Sequence, residues 1–355
     1  MSKTVVSIEG AAFCLNGQPT YAGRYYRWQR VEGLLMNSRV VQATFDDLNL
    51  ETRAMWDYAD GPWDPDRNTD EFIAALPGWR EAGLLSFTLN LQGGNPRGYQ
   101  RDQSWHNSAY TAEGDLRPAY MERLARILDR ADELGMAPLL GLFYFGQDQR
   151  LRDEAAVLRA TDAVTDWLLA RGDRHTLIEI ANEVDVPRYE HAILRAERCH
   201  ELIARVQERF AGRVESPAGR LLASTSTRGN AIPPDNLIAT SDFLLLHGNG
   251  VPGPARIREM VRLCRESPAY RGQPILFNED DHFDFDQPDN HFLAALSEYA
   301  SWGFFDYRMQ GEDYHQGYQS VPVDWTASSE RKRGFYGLLA QVTGVRQASS
   351  VKRQA

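Results

Sequence analysis

The 355-residue chain has few cysteines, no excess of positive charge and no long apolar run. Its three cysteines, Cys14, Cys199 and Cys264, include no CxxC pair, which argues against a disulfide framework and against a zinc ribbon. The formal net charge of −10 lacks the basic excess typical of a nucleic-acid-binding protein. No segment reaches the roughly 18 consecutive apolar residues of a membrane span. The opening residues also lack the apolar core of a signal peptide, so we expect a cytoplasmic protein with neither a nucleic-acid nor a membrane partner.

What the chain does contain is a regular alternation of short apolar runs and amphipathic runs. The apolar runs are hydrophobic on both faces, which is typical of parallel strands covered on both sides. They predict eight strands, at 39–45, 84–91, 137–143, 176–181, 221–225, 243–247, 274–278 and 302–307. The amphipathic runs predict helices at 70–82, 117–135, 153–171, 189–211, 255–267, 290–301 and 329–342, with only a short helical segment after the fifth strand.

Eight strand–helix alternations predict an α/β fold, a closed (β/α)8 TIM barrel. The alternative is a doubly wound open sheet, which would need a glycine-rich phosphate turn, and the chain has neither a GxGxxG nor a Walker motif. Asn16-Gly17 between alternating apolar residues predicts a type I′ hairpin that covers the amino-terminal end of the barrel. We expect one domain over 1–355, with the hairpin and lead-in at 1–37, the barrel at 38–345 and a frayed tail at 346–355. Long loops follow the first and second strands, at 46–69 and 92–116.

Two of the predicted strands lead into an asparagine followed by a glutamate. Strand four leads into Asn182 and Glu183, and strand seven into Asn278 and Glu279. Strands four and seven face each other across a barrel of eight, and the loops at the carboxyl ends of the strands form the functional face. Glycoside hydrolysis needs two such carboxyls, one to protonate the leaving oxygen and one to attack the anomeric carbon or activate water. We therefore predict that Glu183 and Glu279 form a catalytic pair, with Asp281 as the alternative to Glu279.

The segment Ile178-Glu179-Ile180-Ala181-Asn182-Glu183 resembles the strand-four signature of clan A glycoside hydrolases, a large group of retaining (β/α)8 glycosidases. The opening Leu-Asn-Gly-Gln-Pro at 15–19 is similar to the hairpin that precedes the barrel in many of them. The resemblance implies that Glu183 is the acid/base, that Glu279 is the nucleophile and that Asn182 binds the sugar 2-hydroxyl. It implies a retaining hydrolase, and we expect a small-molecule carbohydrate or oligosaccharide substrate, no cofactor and no metal. Glu179 shares the strand parity of Glu183, and we expect a buried structural carboxylate paired with an arginine.

The chain departs from the clan's pattern at several strand ends. Clan members often carry a histidine after strand three, where this chain has Tyr144, and a tyrosine near the end of strand six, where His247 or Asn249 would have to substitute. Strand eight ends in Asp306, Tyr307 and Arg308 instead of a tryptophan. These departures leave a second hypothesis open, in which the protein is a carbohydrate-binding barrel that has lost catalysis.

Other side chains near the strand ends are expected to contact a sugar. Aromatic faces stack on the apolar faces of sugar rings, and amides or carboxylates bond hydroxyls. The candidates beyond the glutamate pair are Asn182, His247, Asn249, Asn90, Gln92, Tyr144, Trp63, Trp105, Tyr307 and Asp46. A third hypothesis is a metal-dependent hydrolase, because His247, His282 and the aspartates of 280–289 are able to ligate a cation. The absence of a His-x-His pair after strand one argues against that class, and nothing in the sequence indicates the oligomeric state.

Overall fold

Eight parallel strands, each followed by a helix, form a closed ring in the computed structural model, which describes residues 2–99 and 103–345. The ring is preceded by β1 (Val6–Glu9), β2 (Ala12–Leu15), β3 (Gln18–Pro19), β4 (Tyr25–Tyr26) and β5 (Gln29–Arg30). Its own strands are β6 (Asn37–Arg39), β7 (Ser86–Asn90), β8 (Ala137–Phe143), β9 (Leu177–Ala181), β10 (Leu222–Ser224), β11 (Leu244–His247), β12 (Ile275–Glu279) and β13 (Gly303–Phe304).

The closure of the barrel is made by two ladders and two seams. One ladder runs in the order β10-β9-β8-β7-β6-β13, and β11 and β12 form a second, two-stranded ladder. The ladders meet at two seams, each with a single parallel bridge. Ser226 pairs with Leu245 at the first seam, and Leu276 pairs with Ser301 at the second. The ring therefore runs from β6 to β13 and back to β6, which confirms the predicted (β/α)8 architecture.

The helices lie outside the ring, and local sequence sets their ends. They are α1 (Pro65–Glu81), α2 (Pro118–Glu133), α3 (Glu154–Arg171), α4 (Cys199–Phe210), α5 (Asp235–Thr240), α6 (Pro254–Glu266), α7 (His291–Ser297) and α8 (Glu330–Thr343). Helix α3 begins after Asp153, whose carboxylate accepts from the Ala156 amide, and ends at Gly172 with a φ of 65°, the left-handed conformation that glycine adopts freely. Across the described ranges, no helix has the length and apolar character needed to cross a bilayer.

The amino-terminal hairpin closes one end of the barrel, as predicted. Asn16 and Gly17 have φ angles of 52° and 73°, the pair of positive values that a type I′ turn requires. The turn pairs β3 antiparallel with β2. Phe13 of β2 packs edge-to-face against Phe243, with the ring centroids 5.9 Å apart. The resulting apolar cluster joins the hairpin to the first residues of the barrel strands and consists of Val6, Phe13, Leu35, Leu85, Ala137, Leu139, Leu177, Leu222, Phe243, Leu245 and Leu276.

The sequence pattern misplaces the first barrel strand. That strand ends at Arg39, where the pattern predicts that it begins, and 40–45 forms turns in which Ala43 and Phe45 donate to the carbonyls of Val40 and Gln42. The apolar residues of these turns point into the core, so the run looks like a strand in sequence. As a result, Asp46 does not stand at a strand end.

The helix after β9 is also shorter than predicted. Helix α4 begins at Cys199 instead of at 189, because the intervening chain forms a loop with a short 3-10 helix, Ala192–Leu194. The Arg195 guanidinium stabilises that loop by donating to the Tyr189 carbonyl at 2.7 and 3.0 Å. The predicted frayed tail, 346–355, lies outside the described residues.

Candidate active site

Glu183 and Glu279 lie together at the carboxyl end of the barrel. Glu279 is the last residue of β12, and Glu183 lies two residues beyond β9. One oxygen of each carboxylate and one ring nitrogen of His247 all lie within 4.8 Å of one another. The two carboxylate side chains retain 14% and 7% exposure, so they are nearly buried but still open to the mouth. The structure therefore brings the two sequence-predicted glutamates into one site.

The backbone at Glu183 is held in an unusual conformation. Its φ of 51° lies in the left-handed region, which costs an L-residue about 1–2 kcal/mol. The hydroxyl of Ser226, at the first seam, accepts from the Glu183 amide at 3.0 Å and donates to Glu179 at 2.5 Å. Strain of this kind collects at functional sites, where the surrounding structure holds a side chain in a required direction.

A β-bulge aligns His247 with the pair. The register between β11 and β12 shifts after Leu246, so that His247 lies opposite Glu279, and the Gly248 amide donates to the Glu279 carbonyl at 2.7 Å. The Nδ1 atom of His247 lies 2.9 Å from Glu183 Oε1 and 3.7 Å from Glu279 Oε2. Burial alone lowers the pKa of His247, but the charges of Glu279 and Glu183 outweigh it and raise the pKa above its ordinary value.

Arg39 is a site residue that sequence reasoning missed. Its side chain is 1% exposed, and its Nε lies 2.6 Å from Glu279 Oε2. Its Nη2 donates to Asn182 Oδ1 at 2.6 Å, and its Nη1 lies 3.6 Å from Glu179 Oε2. Glu179 is fully buried and also accepts from the Asn278 amide at 3.4 Å, which agrees with its predicted structural role. The sequence signal that could have indicated a buried role for Arg39 is its position as a lone arginine inside a run of otherwise uncharged, buried strand residues.

Asn249 and Tyr99 extend the site from Glu279 towards the surface. The Asn249 amide donates to Glu279 Oε1 and, at 2.8 Å, to the Tyr99 hydroxyl. That hydroxyl donates in turn to Asp281 Oδ2 at 3.0 Å. Asp281 is therefore engaged by Tyr99, whereas Glu279 is the carboxylate that meets Glu183.

Asp280 forms a separate buried cluster beside the site. Its carboxylate accepts from Trp302 Nε1 at 2.9 Å, His282 Nδ1 at 2.7 Å and His291 Nδ1 at 2.9 Å. Burial raises the pKa of Asp280, but the hydrogen bonds from both histidines outweigh it and lower the pKa. Within the described ranges, the trio Asp280, His282 and His291 and the trio Glu183, His247 and Glu279 have donor atoms close enough to hold a metal ion. The three N–H donors already account for the geometry around Asp280.

Tyr144 lies near the candidate pair, whereas Tyr307 lies in a cleft beside Tyr99. Tyr144 is buried, and its pKa is raised by burial and by the charges of Glu279 and Glu183. It packs against Gly93, where an added Cβ would lie 2.1 Å from the tyrosine Cβ. Tyr307 lines an open cleft of about 970 Å³ with Tyr99, and the two ring centroids are 4.8 Å apart.

The expected roles of Trp63, Trp105 and Asp46 need correction. Trp63 is 5% exposed and stacks on Tyr58, and Trp105 is 2% exposed in a packed cluster. Neither ring presents a face to an open surface, because the long loops after β6 and β7 use them to build their own core. The Asp46 carboxylate is paired with Arg53 at 2.8 Å.

Asn90 ends β7 and Gln92 follows it, and the structure contradicts the expected sugar contact of Gln92. Gln92 is fully buried, and its Nε2 donates to Ser108 Oγ at 3.3 Å and to the Gln147 carbonyl at 3.0 Å. Its oxygen accepts from the Tyr144 amide at 3.4 Å, so this side chain crosslinks loops and does not face a ligand. Asn90 is 2% exposed, and its side-chain amide has no hydrogen-bond partner among the described residues.

Comparisons with known proteins bear on the fold. No protein-family model and no curated protein matches the sequence. An endo-1,4-beta-mannanase from Rhizomucor miehei is similar in structure with a TM-score of 0.59 and 12% identity, over 96% of this chain and 100% of that one. A glycoside hydrolase family 5 structure from Bacteroides vulgatus has a TM-score of 0.54 and 13% identity, over 95% and 70%.

A third similar structure contains a sugar. It is a broad specificity endoglucanase from Ruminococcus champanellensis with bound cellotriose, with a TM-score of 0.53 and 11% identity, over 86% of this chain and 95% of that one. At these identities the likeness concerns the fold. The chain shares its (β/α)8 barrel fold with these three structures.

Proposed function

We propose that this protein is a retaining glycoside hydrolase with Glu279 as the nucleophile and Glu183 as the acid/base. The observation that carries the proposal is the approach of the two carboxylates, each with one oxygen within 4.8 Å of the other and of a His247 ring nitrogen. Retaining enzymes hold their carboxyls about 5–5.5 Å apart, whereas inverting enzymes need about 6.5–9.5 Å to admit a water. The spacing therefore favours double displacement.

The surroundings of the two glutamates support the division of roles. The Arg39 guanidinium lies 2.6 Å from Glu279 and the Asn249 amide donates to it, so a fixed cation and an N–H donor hold this carboxylate in place for nucleophilic attack. Glu183 has no arginine or lysine within ion-pair distance among the described residues, and its contact is the titratable His247 at 2.9 Å. A group that must release and recover a proton is better served by such a partner than by a fixed cation.

The reaction then runs in two balanced steps. Glu279 attacks the anomeric carbon while the Glu183 carboxylic acid donates its proton to the leaving oxygen, which gives a covalent glycosyl-enzyme and a free alcohol. Glu183, now a carboxylate, takes a proton from water as the water attacks the same carbon and displaces Glu279. Asn182, which is held by Arg39, is available to bond the sugar 2-hydroxyl.

The test is a panel of chromogenic aryl glycosides and β-1,4-linked glucose and mannose oligomers. The oligomers are included because the similar structures include a mannanase and an endoglucanase. We expect turnover by the wild type and loss of turnover in Glu279→Ala. Azide should partly rescue the Glu279→Ala protein by acting in place of the missing carboxylate, and the product should be a glycosyl azide of inverted configuration. Glu197→Ala, at an exposed glutamate, is the matched control.

Other outcomes would reject the assignment. Full activity in both Glu183→Gln and Glu279→Gln would remove the proposed pair. Sugar binding by calorimetry without turnover of any glycoside would support the carbohydrate-binding barrel. Turnover that is lost on chelation and restored by a divalent cation would support the metal-dependent hydrolase.

A further inference from the structure

The open cleft beside the candidate pair has an unusual charge. The cleft, about 970 Å³, is formed by the loops after β6, β7 and β13 and is lined by Met55, Trp56, 96–97, Tyr99, 307–310 and 320–322. Tyr99 connects it to the site, because its hydroxyl accepts from the Asn249 amide that also contacts Glu279. The cleft therefore borders the side of the site that holds Glu279.

The charged residues in the described lining of the cleft are all arginines. Arg97 and Arg308 both line the cleft, and no aspartate or glutamate is among the described lining residues. The charge of the cleft lining is therefore opposite in sign to that of the whole chain, which carries a net charge of −10. Glu312 follows this part of the chain, but Arg331 already pairs with it at 2.8 Å.

The two guanidiniums have different amounts of free hydrogen-bonding capacity. Arg97 is exposed, and its guanidinium has no carboxylate within ion-pair distance in the described parts of the chain. Arg308 uses Nη2 to hold the Pro322 carbonyl at 2.7 Å and the Ser320 carbonyl at 3.3 Å, while its buried Nε has no hydrogen-bond partner among the described residues. Arg308 therefore fixes the cleft wall, and Arg97 is free to bind a ligand.

We propose that this cleft binds an anionic sugar unit, carrying a carboxylate or a sulfate, of an oligosaccharide whose neighbouring unit is cleaved between Glu183 and Glu279. The proposal rests on the proposed function. A guanidinium presents parallel N–H donors that match the two oxygens of a carboxylate or sulfate, and the faces of Tyr99 and Tyr307 suit the apolar faces of a sugar. Glu279 repels an anion at the cleavage point and Asp281 repels one beside Tyr99, so the charged unit lies against Arg97.

The experiment compares ligands that differ only in charge. Binding to the Glu279→Gln protein is measured by calorimetry for cellotetraose, for cellotetraose with one glucuronic acid unit at either end, for the corresponding mannose and mannuronic acid ligands, and for cellotetraose with one 6-sulfated unit at either end. We expect an acidic member of at least one pair to bind about tenfold more tightly than its neutral partner, the scale of one charge-assisted hydrogen bond. Raising the salt concentration should reduce that preference. The carboxylate and sulfate arms distinguish the two kinds of anion.

Two variants assign the effect to Arg97. Arg97→Gln should reduce the acid-to-neutral affinity ratio about tenfold, and Arg97→Lys should reduce it less, because the charge remains but the planar fork is lost. Arg213→Gln, at an exposed arginine at the end of α4, removes the same charge elsewhere and should leave the ratio unchanged. Equal or weaker binding of every anionic ligand overturns the proposal, as does a preference that persists in Arg97→Gln. Anionic binding that depends on Arg97, with no hydrolysis of any substrate by the wild type, would refute the proposed function and leave only the binding of an anionic sugar in the cleft standing.

Discussion

The Nε atom of Arg39 lies 2.6 Å from Oε2 of Glu279, in a setting where the arginine side chain is 1% exposed. The same guanidinium bonds Asn182, so one buried cation connects the ends of β6, β9 and β12. Its charge is compensated by Glu279 and by Glu179, which are the two carboxylates within 3.6 Å in the described parts of the chain.

Removing this cation should be costly. We expect Arg39→Met to lower the free energy of unfolding by about 3–5 kcal/mol, because Glu179 and Glu279 would be left buried and unpaired. Urea unfolding measures the change. Adding Glu179→Gln to that variant should recover part of the loss, since it removes one of the two uncompensated charges. An Arg39→Met protein as stable as the wild type would contradict this account of the contact.

Replacing Glu183 should affect substrates according to their leaving groups. In Glu183→Ala we expect hydrolysis of alkyl glycosides to fall on the order of 10²–10⁴-fold, because the leaving oxygen then departs without a proton. A dinitrophenyl glycoside should lose far less in its first step, since that leaving group needs no protonation. Steady-state and burst kinetics on a leaving-group series measure this, and an equal loss across the series would argue against Glu183 as the acid.

His247 should make stability depend on pH. Its native pKa is raised above the unfolded value near 6.5, so its stabilising contribution is complete below about pH 6.5 and is lost as the pH rises through the native pKa. The charged groups that face it are Glu183, Glu279 and Arg39. We expect the stability advantage of the wild type over His247→Gln to shrink as the pH is raised from about 6 to 9, by at most about 1.4 kcal/mol per pH unit. Urea unfolding across that range measures it, and parallel curves for the two proteins would contradict it.

Gly248 should tolerate no side chain. A Cβ at this position would lie 2.2 Å from Asp280 Oδ2, and that carboxylate is held by Trp302 and two histidines and cannot move away. We expect Gly248→Ala to destabilise the fold by about 1–3 kcal/mol in thermal unfolding. Gly78→Ala is the control, because a Cβ added at that helical glycine would meet no atom within 4 Å and alanine is the better helix former. Equal effects of the two changes would show that the space around Asp280 is not the cause.

The sequence predicts the barrel well because its signal is local. The run Ala137–Phe143 is apolar on both faces, as a strand with neighbours on each side must be, and its predicted bounds agree with β8. The two asparagine–glutamate pairs could be placed for the same reason, because each lies at the carboxyl end of such a strand. The turns at 40–45 have equally apolar residues, and only their hydrogen bonds distinguish them from a strand.

What the sequence could not predict are the contacts between distant segments. Arg39 meets Asn182, Glu179 and Glu279 only after the barrel closes, and a charged residue is ordinarily read as exposed. The same limit applies to Trp63 and Trp105. An aromatic ring in a long loop is able to face a sugar or a small local core, and the packing of the loops against each other decides between the two.

The two seams of the barrel divide the candidate pair. Glu183 follows the six-stranded ladder, whereas Glu279 and His247 belong to the two-stranded one, and bridges at Ser226–Leu245 and Leu276–Ser301 join the ladders at their edges. The gap between the carboxylates thus depends on the contacts that cross between the ladders, which include these bridges and the Arg39–Glu279 ion pair. A substitution that loosens the Ser226 junction would change the gap, and with it the chemistry, while both ladders stay intact.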